Sequence, residues 1–182
     1  MNSPLVSIII TTKNEEVHLP RLLENIAKQT YKIIETIVVD NNSKDQTKAI
    51  AKNFGAEVFS KGPERSAQRN FGAQNAKGEY LLFLDADMEL TPNVGKECVN
   101  KIQEPRTNNQ ELLAMVIPEQ SFGIGFWTRC KILERMCYEG IDWIESARFF
   151  QKKVFFEVGG YDEDLTGPED FELPQRIKFK YG

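Results

Sequence analysis

The strongest constraint on this chain is a repeated pattern: a mostly apolar, β-branched run, a polar turn, then apolar residues at helical spacing. Val6 to Ile10 is β-branched throughout its length apart from Ser7, passes into Thr11-Thr12-Lys13-Asn14, and is followed by Leu19, Leu22, Leu23 and Ile26. A buried strand feeding a helix accounts for that order, with Asn14 the expected N-cap. The pattern returns in Ile33 to Val39, then Asp40-Asn41-Asn42-Ser43, then a segment carrying Thr47, Ile50, Ala51 and Phe54. Gly55 stands where a helix commonly ends in a left-handed residue. Glu57 to Phe59 predicts a third strand, Ser66 to Ala76 a third helix, and Tyr80 to Leu84 a fourth strand running into Asp85. Strands apolar on both faces and alternating with helices predict a parallel sheet covered on each side.

Ligands in such sheets bind beyond the carboxyl ends of the strands. That rule places Thr11 to Glu15, Asp40 to Ser43 and Asp85 to Glu89 along one rim. The second half loses the rhythm. A strand at Leu112 to Ile117, an amphipathic helix around Ile124 to Tyr138 and an extended stretch at Ser146 to Gln151 predict mixed strands and a substrate wall. The 182 residues fit one domain. The last residues, Ile177 to Gly182, read as a helix reaching its end, with a C-terminal continuation expected beyond them.

Several classes of function drop out on composition. The 23 Lys and Arg against 27 Asp and Glu leave a net charge of −4 with no long basic run, so nothing neutralises a nucleic-acid backbone. The longest apolar runs, such as Leu112 to Ile117, are far short of the roughly 20 residues a bilayer requires. No basic stretch precedes Leu5 to Ile10, so the N-terminus is not read as a signal peptide. Cys98, Cys130 and Cys137 lack CxxC spacing, and an odd count argues against a disulfide framework and for a cytoplasmic setting. The one histidine, His18, excludes a site built on several imidazoles, so any metal must take oxygen ligands.

Neither GxGxxG nor GxxxxGK[ST] occurs, which removes the usual dehydrogenase and P-loop sites. The rim offers carboxylates instead. Asp85-Ala86-Asp87 follows an apolar strand directly, and two carboxylates so spaced can grip a divalent cation while leaving positions for diphosphate oxygens. Glu89 could add a third oxygen; taken alone, the segment could equally be a polar turn. Asp40 either opens an Asx turn into the next helix or accepts a hydrogen bond from the ring N–H of a nucleobase. Arg65 and Arg69 are either solvated helix surface or cations facing a diphosphate. Phe126, Trp127 and Trp143 are expected to pack in the core ahead of lining an acceptor wall.

Together these segments resemble the inverting glycosyltransferases of the large family 2, which have the GT-A fold. The resemblance runs through Val6 to Glu15, Val38 to Thr47, Ala67-Gln68-Arg69-Asn70, Ala76 to Asp87, and Val158-Gly159-Gly160-Tyr161-Asp162-Glu163 followed by Gly167-Pro168-Glu169-Asp170, Leu173 and Arg176. It implies a nucleotide-binding half over residues 1–90 and an acceptor-binding half over 91–182. It further implies that Thr11, Lys13 and Glu15 surround base and ribose, that Asp40 contacts the base, and that Asp85 and Asp87 bind metal and diphosphate, with Glu89 as an added ligand. Lys13 replaces the tyrosine that some members carry before the Asn. Asp170, beside Glu169, matches the general base. Arg176 precedes Ile177 where processive synthases have Trp, so a non-processive transferase is implied.

The expected cofactor is Mn²⁺ or Mg²⁺ and the expected donor a UDP- or GDP-sugar. A carbohydrate or lipid-linked acceptor is expected, with a membrane tether beyond Gly182 as the route to a cytoplasmic membrane face. A nucleotidyltransferase would put a glycine-rich basic loop after the first strand, where Thr11 to Glu15 has no glycine. A receiver-like module of about 120 residues leaves Glu169-Asp170 unexplained, and a non-catalytic sugar-nucleotide scaffold has little need of both Asp87 and Asp170.

Overall fold

The computed structural model describes residues 3–105, 111–136, 146–165 and 167–182. Cys137, Trp143 and the end of the helix predicted to Tyr138 lie outside the described residues. The elements in chain order are β1 (Val6–Thr12), α1 (Leu19–Ala27), β2 (Ile34–Asp40), α2 (Thr47–Asn53), β3 (Glu57–Ser60), α3 (Arg65–Asn75), β4 (Tyr80–Asp85), α4 (Val94–Gln103), β5 (Ala114–Val116), α5 (Phe126–Met136), β6 (Ala147–Gln151), α6 (Lys152–Glu157) and α7 (Glu169–Tyr181). One sheet takes them in the order β3-β2-β1-β4-β6-β5. β1 pairs in parallel with β2 and β4, and β2 with β3. β6 runs antiparallel to both β4 and β5.

The unbroken apolar runs follow from burial of both faces. Successive strand residues point to opposite sides, so Ile8 and Ile10 join Leu82, Leu84 and Phe149 against α1 and α4, while Ile9 joins Ile37, Leu81, Phe83 and Phe150 against α3, α6 and α7. Phe83, Phe150, Phe155 and Tyr161 form a group with ring centroids 5.2 to 6.5 Å apart, edge-to-face in every pair but the tilted Phe83–Phe155. Gly72 brings α3 close to β1: a Cβ there would stand 2.5 Å from Ile9 Cγ2.

Gly55 ends α2 as expected, at φ +80°, with its N–H donating to the Lys52 carbonyl. Asn14 is not the N-cap of α1. It adopts φ +56°, its side-chain oxygen accepts the Lys44 N–H at 2.9 Å, and its own N–H donates to Ser43 Oγ at 2.7 Å. The helix starts only at Leu19, after a turn, with Pro20 in its first turn. Asn14 is thus spent on tying two rim loops together. Beyond the sequence expectations stand α4, whose Val94, Cys98, Val99 and Ile102 have helical spacing, and the short α6. β5 is only three residues and carries a register shift at Met115/Val116.

Candidate active site

Thr12, Asp40 and Asp85 end their strands within one residue of a common level, since the parallel register pairs Thr12 with Asp40 and Thr11 with Asp85. α3 enters this rim by its N-terminal half, and three consecutive residues divide the work. Gln68 donates to the carbonyls of Val39, at 2.7 Å, and Thr12, at 3.3 Å, fixing two strand ends. Asn70 donates to the Tyr161 carbonyl at 2.8 Å and accepts from the Tyr161 N–H at 2.9 Å, fastening the segment that leads to α7.

Arg69 lies between them, 1% exposed. Its Nη1 donates to Asp170 Oδ1 at 2.5 Å and its Nη2 to Asp85 Oδ1 at 3.3 Å, with Glu169 Oε1 4.0 Å away. The guanidinium lies 5.1 Å from the centre of the buried Tyr161 ring. Burial alone would lower the Arg69 pKa, but Tyr161, Asp170 and Asp85 outweigh it and raise it, so the residue stays charged. Arg69 is therefore no solvated surface residue. Arg65, one helical turn earlier, is exposed, and its charge still acts on Asp85.

Asp85 is held from a second direction by Arg148, which no local pattern singles out. Arg148 is buried in β6, places Nη2 3.4 Å from Asp85 Oδ2, and donates through Nε to Glu119 Oε1. Antiparallel pairing of β6 with β4 sets the beginning of β6 beside the carboxyl end of β4, and that long-range pairing is invisible in local patterning. For Asp85 burial raises the pKa, yet Arg69, Arg148 and Arg65 prevail and hold the carboxyl below its ordinary value.

The remaining candidates separate. Asp40 is fully buried: its Oδ2 accepts the Ser43 N–H at 2.8 Å, and its Oδ1 accepts from Ser43 Oγ at 2.5 Å and from Thr12 Oγ1 at 3.0 Å. The Asx turn is thus formed, and Asp40 organises the rim from beneath. Thr11 is buried, Lys13 exposed, and Glu15 lies 3.1 Å from His18 Nδ1 while its N–H donates to Thr47 Oγ1 at 2.8 Å. Glu169 is buried and turns back to accept the Gly167 N–H at 2.5 Å, so it shapes the start of α7. Asp170, one residue on, faces Arg69. Arg176 is not at the rim: it donates to the carbonyls of Val158, at 2.5 Å, and Gly160, at 2.7 Å, and pairs with Glu172. Its work is to hold the turn at Gly159 and Gly160, both at positive φ.

Among the described residues no three His, Cys, Asp or Glu side chains converge to hold a metal ion. Glu89 does not join Asp85 and Asp87, because Arg21 on α1 takes it at 2.5 Å. Asp85 and the exposed Asp87 remain, joined by a turn in which the Met88 N–H donates to the Asp85 carbonyl at 3.1 Å. Such an oxygen-only pair suits a hard cation whose other positions are filled by a ligand and water. Phe126 and Trp127 do not pack in the core; they are 72% and 80% exposed.

A profile of glycosyl transferase family 2 matches residues 7–159. The chain belongs to this family. Uncharacterized glycosyltransferases of Rickettsia typhi and Rickettsia prowazekii are 28% and 36% identical over 94% of the chain. The chain spans 58% of the length of each. A GalNAc(5)-diNAcBac-PP-undecaprenol beta-1,3-glucosyltransferase of Campylobacter jejuni is 32% identical over 56% of the chain and 35% of its own length. In fold, a mannosyltransferase of Pyrobaculum calidifontis solved with GDP-Man and Mn²⁺ matches the whole chain and 54% of its own, at TM-score 0.78 and 19% identity. TarS of S. aureus with UDP-GlcNAc matches 95% of the chain and 53% of its own, at 0.66 and 20% identity. Both establish the GT-A arrangement, with its six-stranded sheet flanked by helices.

Proposed function

We propose that this chain carries the donor-binding and catalytic part of a non-processive, inverting glycosyltransferase, which moves a sugar from a nucleoside-diphosphate sugar to a hydroxyl or lipid-phosphate acceptor. The observation that carries it is the buried Arg69 holding both Asp85 and Asp170 at the carboxyl rim of a family 2 chain. Residues 1–90 supply the nucleotide side, with Thr11, Lys13 and Glu15 around base and ribose, and Asp40 setting the loop that meets the base. Residues 91–182 supply the acceptor side.

An acceptor hydroxyl is a poor nucleophile near neutral pH, so a carboxylate must take its proton as the new bond forms. Asp170 has that role. Arg69 fixes one of its oxygens, and the other takes the proton. Asp85 and Asp87 would hold a divalent cation, whose chemistry when bound is to neutralise the diphosphate. The exposed Arg65 adds positive charge beside the leaving group, while Arg69 is taken up in holding Asp85 and Asp170. Attack opposite the leaving group inverts the anomeric centre in one step. Likeness to an enzyme solved with GDP-Man and Mn²⁺ and to one solved with UDP-GlcNAc supports nucleotide-sugar donors, and the Campylobacter relative supports a lipid-linked acceptor.

The test is a thermal-shift screen of UDP- and GDP-sugars with Mn²⁺ or Mg²⁺, followed by nuclear magnetic resonance of the first product. Saturating ligand at 100 times its dissociation constant stabilises by about 2.7 kcal/mol. A product that keeps the donor's anomeric configuration would remove Asp170 from its role.

A further inference from the structure

The residues between β5 and the end of α5 expose an apolar surface that the catalytic reading leaves unused. Ile124 is fully exposed, Phe122 and Leu133 more than half so, and Phe126 and Trp127 stand together with ring centroids 5.4 Å apart. Phe126, Cys130 and Leu133 recur at i, i+4 and i+7, the spacing of one helix face. A helix packed on the sheet would bury such a stripe; here its two large members face outward. Isolated exposed apolar residues need no explanation, but a contiguous group of this kind marks a contact surface.

Charge says what the surface fits. Between Ser121 and Glu134 two cations, Arg129 and Lys131, stand with one acid, Glu134, which lies 3.4 Å from Lys131, in a chain of net charge −4. Arg129 and Lys131 are exposed. Aromatic residues beside Lys and Arg are the composition of an element lying in the boundary of an anionic bilayer, where rings sit at headgroup depth and cations meet lipid phosphates. The segment is also rooted in the catalytic rim. Just before it, Glu119 pairs with Arg148, which holds Asp85, and Arg21 lies 5.5 Å over the Phe122 ring while it pairs with Glu89.

The geometry points to the Phe122–Leu133 segment as a docking element that lays the catalytic rim against an anionic lipid surface. This deepens the transferase reading, since it says where the acceptor is presented. Its test needs no turnover, so the two ideas fail separately.

The full chain, with Trp143→Phe so that Trp127 is the one reporter, is mixed with vesicles of neutral phosphatidylcholine and with vesicles containing about 30 mol % phosphatidylglycerol. Sedimentation with the anionic vesicles and a blue shift of Trp127 emission are expected, both weakened by salt. Arg129→Gln/Lys131→Gln should reduce affinity about 25-fold, at about fivefold per cation near the surface. Phe126→Ser/Trp127→Ser, followed by sedimentation alone, should abolish binding. Since these side chains are exposed, both variants should keep the parent's melting temperature and any stabilisation by UDP or GDP with Mn²⁺. Absence of binding to anionic vesicles overturns the inference, as does binding unchanged in both variants. Self-association that the serine variant removes, without vesicle binding, assigns the surface to a second copy instead and also overturns it.

Discussion

Replacing Arg69 by Met tests the centre of the site without any donor. The arginine is essentially buried, while the side chains of its partners Asp85 and Asp170 are 23% and 16% exposed. Removing one partner of a buried ion pair costs about 3 to 5 kcal/mol, because the other charge is left desolvated. Asp85 keeps Arg148, and both carboxylates keep some contact with water, so the lower figure, about 3 kcal/mol, applies. For a chain of this size each kcal/mol moves the melting temperature by about 2 to 4 °C, giving a fall of about 6 to 12 °C. Urea unfolding at pH 7 and pH 4, without metal, supplies the measurement. The penalty should shrink at the lower pH, because Asp85, without Arg69 to hold its pKa down, protonates more readily and no longer buries a charge. Adding Asp170→Asn should recover at least about 1 kcal/mol of the loss, since the two sites touch. A variant within about 1 kcal/mol of the parent at pH 7, or a deficit equal at both pH values, would refute the argument that Arg69 neutralises buried acids.

Asp170→Asn should lower turnover by roughly 10² to 10⁴ with donor affinity almost intact, and Glu169→Gln should be milder because that side chain faces the Gly167 amide; steady-state kinetics with calorimetry separates the two. Donor binding should require Mn²⁺ or Mg²⁺ and fall in Asp87→Asn, and equal calorimetric affinity in EDTA would count against the cation site. The lowered pKa of Asp85 contributes stability that is complete above its unfolded value, near 3.8, and is lost as pH falls through the folded value; Asp85→Asn should therefore flatten the unfolding free energy against pH below about 4. Burial and the neighbouring Glu97 push the Cys98 thiol up to about 12, so in a Cys130→Ser/Cys137→Ser background a disulfide reagent at pH 8 should label nothing until the protein is unfolded.

Most of the sheet was legible in the sequence because the central parallel strands, buried on both faces, must be apolar at most residues, and because ligand loops must then gather at the strand ends. Val6 to Ile10, Ile33 to Val39 and Tyr80 to Leu84 follow from that alone, as do the rim positions of Asp40, Asp85 and Asp87. The chemistry of the family was likewise carried by short ordered blocks. What the sequence by itself left open was which polar residues meet. Arg69 as surface or site is equal in local pattern, and burial and partners decide it; the same contacts show the Asx turn at Asp40. Arg148, Glu119 and Tyr161 reach the site through antiparallel pairing and chain returns spanning tens of residues, and Glu89 is drawn off by Arg21 from another element. Local periodicity records what each residue's own strand or helix requires of it. Pairing of charges across elements depends on distances that exist only once the sheet has closed around them.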